Sequence, residues 1–123
     1  MQTADIKSVS SDQAEWENQL LAYKKELAEL NKQLTEFASS HGNREESALI
    51  EHFHNQFVIQ NENIDILKHD LHQYTKSLLK STDESLTDEQ NETHQQFKDQ
   101  FESESKVYQE LKTEFNNFVK SLN

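Results

Sequence analysis

The chain has 123 residues, 33% of them hydrophobic, a net charge of −11 at pH 7, one glycine, no proline and no cysteine. That charge repels a phosphate backbone and the twelve basic residues are scattered, so nucleic acid is not an expected partner. Without cysteine there is neither a disulfide framework nor thiol chemistry, and a single domain of this size leaves no room for a separate lid or cofactor domain.

In the first segment, Ile6, Val9, Gln13, Trp16, Leu20, Tyr23, Leu27, Leu30, Leu34 and Phe37 recur at alternating spacings of three and four. This heptad seam predicts a helix over about 5–40. The run Ser39-Ser40-His41-Gly42-Asn43 ends it: Gly42 suits the left-handed position after a helix, and Asn43 with Glu46 three residues on resembles a capping box. Ile50, Phe53, Phe57, Gln60, Ile64, Leu67, Leu71, Tyr74 and Leu78 carry a second seam, predicting a helix over about 44–81. A polar, acidic turn follows. Its Ser85 or Thr87 can cap the next helix, with Asp88, Glu89 and Glu92 set against the positive end of the dipole. The third seam runs through Gln90, His94, Phe97, Phe101, Glu104, Tyr108, Leu111, Phe115, Phe118 and Leu122, within a helix expected over about 86–122.

Short turns make sequential helices antiparallel neighbours. The expected fold is therefore all-α: a single up-down-up, antiparallel three-helix bundle with coiled-coil packing. A thin seam needs few buried positions per turn, which accounts for the low hydrophobic content. Disorder is the competing reading, but all seven Phe, the three Tyr and the Trp fall on the repeat. Meshing the seams places Leu34, Phe53 and Phe115 in one layer and Trp16, Leu71 and Phe97 in another. Polar seam residues also fall together: Gln60 beside Tyr108, Tyr23 beside Glu104, and Gln13 with Tyr74 and His94. They read as buried polar layers that set helix register. The phenylalanine-rich end should be the tighter one. The end holding Gln13, Gln90 and His94 should fray first, so Phe53→Ala is expected to cost far more stability than Gln13→Ala.

Several groupings hold residue types that can do chemistry. Glu51-x-x-His54 has the spacing of a di-iron carboxylate ligand pair, but it occurs once and points off the seam. Asp65, His69 and His72 share an outer face of helix two without a full ligand set for structural zinc. Glu104 on the seam has the makings of a perturbed acid, yet a three-helix seam offers little pocket for catalysis. No catalytic residue, cofactor or metal is expected. Ile59 and Ile66, a heptad apart with Val58 adjacent, form an apolar stripe away from the seam of helix two, a candidate partner or dimer surface. The last segment and the turn before it carry ten acids against four lysines, a second surface suited to a basic partner. No apolar run is long enough to span a bilayer, and no basic amphipathic face suits an anionic one. Residues 1–11 lack the apolar stretch of a secretory signal, so a cytoplasmic protein is expected, in which the Asn91-Glu92-Thr93 glycosylation pattern is fortuitous.

With Trp16 on the first of three heptad helices, the chain resembles in outline a single spectrin-type repeat. In size, acidity and helicity it is similar to small export chaperones of flagellar and secretion systems. No quotable motif carries either resemblance, and the chain is assigned to neither family. The expected function is a non-enzymatic protein-protein interaction module, an adaptor or chaperone-like bundle whose partner is another protein or a second copy of this chain. The alternative is a small ligand- or metal-binding helical bundle.

Overall fold

A computed structural model describes residues 6–40, 44–80 and 86–121. They form α1 (Ile6–Ser40), α2 (Arg44–Leu79) and α3 (Asp88–Ser121), with no strand among the described residues. The expected stop at Gly42 and Asn43, the Ser85 cap and the seam position Leu122 lie outside the described residues. With neither proline nor glycine inside them, the helices run 35, 36 and 34 residues, each about 50 Å at 1.5 Å per residue.

At the start of α3, the Gln90 backbone N–H donates to Thr87 Oγ1 (3.1 Å), and the Thr87 N–H donates to Gln90 Oε1 (2.9 Å). This reciprocal pair is a capping box, satisfying two donors that the helix cannot satisfy itself. The seam role expected of the Gln90 side chain is therefore replaced by capping. Asp88 and Glu89 occupy the first turn, where negative charge complements the dipole.

Cross-helix contacts fix the directions. On one side Lys24 pairs with Asp65, and His54 Nδ1 lies 3.2 Å from Asn31 Oδ1, so α2 descends as α1 ascends. On the other, Trp16 stacks on Phe101, Tyr23 on Tyr108, and Phe37 meets Phe118, so α3 runs parallel to α1. The molecule is an all-α, up-down-up three-helix bundle. Among the described residues no helix is long and apolar enough to cross a membrane.

The seam residues form the core. Leu20, Tyr23, Leu27, Leu30 and Leu34 of α1 meet Phe53, Phe57, Ile64, Leu67 and Leu71 of α2, and α3 adds Tyr108, Leu111, Phe115 and Phe118. At the phenylalanine end the rings interlock: Phe53 lies 5.5 Å from Phe115 and 5.1 Å from Phe118, and Phe57 lies edge-on to Phe115 at 5.3 Å. Such tilted and edge-to-face pairs contribute about 0.5–1.5 kcal/mol each beyond area burial.

At the other end, burial differs from the expectation of general fraying. Val9 and Gln13 of α1 and Leu71 and Leu78 of α2 are all buried. Only α3 is loosely seated there, with His94, Phe97 and Phe101 half-buried. Of the layer expected from Trp16, Leu71 and Phe97, Leu71 lies in the core, and both rings pack against the core as partly buried residues.

Candidate functional site

The polar seam residues are brought together, but with different partners from those expected. Gln13, Gln60, Tyr23 and Tyr108 are buried, whereas Tyr74, His94 and Glu104 are half-buried. In the middle of the bundle, the Tyr23 and Tyr108 rings stack at 4.2 Å, and the Tyr23 hydroxyl lies 2.6 Å from Ser105 Oγ. With its amide nitrogen turned toward the carboxylate, Gln60 donates to Glu104 Oε1 (2.6 Å) and Oε2 (3.3 Å). Thus Glu104 pairs with Gln60 of α2 rather than with Tyr23. Neighbouring residues on a helix point about 100° apart, so Ser105 faces α1 while Glu104 faces α2.

Burial pushes the Glu104 carboxyl up from its ordinary 4.5 to about 7. Burial, and next the nearby Glu26 carboxylate, push the Tyr108 phenol up, and its hydroxyl completes no hydrogen bond of good geometry. Glu26 is held below its ordinary value, chiefly by its bond to Lys112 across the α1–α3 boundary, against an opposing effect of burial.

Toward the start of α3, the hydrogen bond of Gln13 is with Thr75 rather than with Tyr74 or His94. The Thr75 hydroxyl serves both Gln13 Oε1 and the Leu71 carbonyl, the latter at 2.9 Å. Tyr74 instead donates to the Gln90 carbonyl (2.8 Å), its ring lies 5.3 Å from Phe97, and burial raises its phenol. His94 stacks on Trp16 at 5.1 Å and places Nε2 3.4 Å from Asp12 Oδ2. Ser105, Thr75 and Asp12 were not identified from the sequence. Each adjoins a polar seam residue, and that adjacency is the signal which could have found them.

The outward apolar residues do not share one groove. Val58 lines a groove of about 270 Å³ between α1 and α2, on the opposite side from α3, with Leu27, Ala28 and Phe57 below and Lys24, Asn31, Asn61 and Glu62 around it. The small Ala28 side chain helps to open it. Ile66 lines a separate groove of about 180 Å³ between α2 and α3, together with Leu67, Asn63, Asp70, Gln100 and Glu104. Val58, Ile59 and Ile66 are 43%, 44% and 60% exposed. Leu21, Leu49, Leu79 and Val107 are further exposed apolar residues.

Of the polar groupings with metal-ligand residue types, Asp65, His69 and His72 line one open depression together with Glu17 and Lys68. Glu51 and His54 are exposed, with His54 against Asn31. Asp65 pairs with Lys24, His69 lies 3.4 Å from Asp70, and His72 lies 3.9 Å from Glu17. Among the described residues, no three His, Asp or Glu side chains are grouped to hold a metal ion. No family model, no curated protein and no solved structure matches this chain.

Proposed function

We propose that this chain is a non-enzymatic interaction module, an adaptor or chaperone-like bundle of the cytoplasm that binds another polypeptide through the outer faces of α2. The observation that carries the reading is the exposure of Val58, Ile59 and Ile66 in the middle of α2, between the exposed Leu49 and Leu79 near its two ends. Val58 adds a floor of Leu27 and Phe57 to that exposed surface. A groove with an apolar floor and polar rim suits one apolar stripe of an amphipathic helix, anchored at residues three and four apart. The partner is another protein or a second copy of this chain. With a net charge of −11, the chain favours a partner carrying basic residues beside its apolar stripe.

Co-purification and light scattering test the reading with Val58→Glu and Ile66→Glu made separately. Both sites are exposed, so helical content and unfolding midpoint should stay close to wild type. Loss of a co-purifying partner, or of a dimer, in one variant identifies the groove used. Retention in both variants removes this surface from consideration. Stoichiometric iron or zinc in protein purified without a metal-affinity tag would instead favour a metal-binding bundle.

A further inference from the structure

We propose that Glu104 is a proton-controlled latch on α3: with its carboxyl neutral, the N-terminal half of the helix stays seated on α1 and α2, and ionisation lifts it. The inference stands apart from the interaction reading and rests on where this carboxyl lies. Glu104 marks the boundary at which the burial of α3 changes. Beyond it Tyr108, Leu111, Phe115 and Phe118 are buried, while before it His94, Phe97 and Phe101 are half-buried.

The surroundings of Glu104 do not support a negative charge. Its hydrogen-bond donor is the neutral Gln60 amide. From α2, Asp70 lines the same groove and is of like charge. From α1, Tyr23 is engaged with Ser105, and Glu26 holds Lys112. Within α3, Tyr108 lies one turn on, its ring stacked against Tyr23. Among the described residues no cation is paired with the Glu104 carboxylate, so its ionised form gains by moving into water. Burial accordingly raises the carboxyl to about 7.

A carboxyl raised in the seated state stabilises that state fully below its ordinary value of 4.5. The contribution declines as pH rises and is lost above about 7. Two polar ties oppose lifting, Tyr74 to the Gln90 carbonyl and His94 to Asp12. Trp16, the only tryptophan, is stacked against both His94 and Phe101, so a lifted α3 uncovers it.

The test compares the full chain with Glu104→Gln at pH 5.5 and pH 8.5, reading deuterium uptake and Trp16 emission. In the wild type, uptake over 88–103, corrected for intrinsic exchange, should rise about three- to thirtyfold at the higher pH while 108–118 stays protected. Trp16 emission should shift to the red. Glu104→Gln should remove both responses. An equal response in the variant, an equal rise across 108–118, or no rise in the wild type would overturn the proposal. Should the variant fail to fold, carbon-13 titration of the wild-type Glu104 carboxyl decides: an ordinary carboxylate value sinks the latch.

Discussion

The two halves of α3 share one heptad seam and meet very different fates. The C-terminal half puts Tyr108, Leu111, Phe115 and Phe118 into the core, where the phenylalanines close on Phe53 and Phe57. In the N-terminal half Phe97 and Phe101 are only half-buried, beside the polar seam residues His94 and Glu104. Beneath it, α1 and α2 remain tightly joined, with Val9, Gln13, Leu71 and Leu78 fully or almost fully buried. Looseness in this bundle therefore belongs to one half of one helix rather than to one end of the rod. Seam periodicity decides which face turns inward; the chemistry of each seam residue decides how firmly it is held.

Truncating each half of α3 in turn is the most direct way to break this contrast. Phe115→Ala should cost about 3–5 kcal/mol in a denaturant titration, as removal of a fully buried ring does, and Phe101→Ala about half as much. Equal losses would show that both halves are seated alike. Glu104→Leu sharpens the boundary between them. It should raise the melting temperature, and more so at pH 8 than at pH 5, because the wild type loses stability as pH rises from 4.5 through about 7. Allowing for screening at a half-exposed group, that loss is about 1–2 kcal/mol. A lower melting temperature at pH 8 would mean that the ionised carboxylate has a stabilising role there.

Gln13→Ala tests whether α1 and α2 hold together without help from α3. From the sequence its cost is expected to be far below that of Phe53→Ala, and Gln13 is fully buried against Thr75. A loss of about 1 kcal/mol is expected, kept modest because the Thr75 hydroxyl retains the Leu71 carbonyl as acceptor. Lys24→Ala should have the smallest effect, below about 1 kcal/mol and fading further in salt, because its ion pair with Asp65 is substantially exposed. A larger loss would shift weight from the seam to the groove lined by Val58.

Helix number, direction and approximate limits were legible because apolar spacing is a backbone-level property: each seam turned inward as its period required. The partners of polar seam residues were not. Pairing Tyr23 with Glu104 took account of height along the rod but not of angle around it, and Ser105 faces α1 where Glu104 faces α2. Gln90 shows a second limit. Its seam position and its capping position three residues after Thr87 compete for one side chain, and the orphan backbone N–H of Thr87 claims it. For the outward face, a heptad repeat links Ile59 to Ile66 but cannot reveal that Val58 opens onto a different groove. That depends on the small Ala28 of another helix.

Three rods of nearly equal length, folded back twice, leave Ile6 and Ser121 at opposite tips. Were the number of rods even, both ends would emerge side by side. Here, whatever is joined before α1 is held about 50 Å from whatever is joined after α3, so in tandem the unit acts as a spacer and tension applied through its ends runs along the shaft.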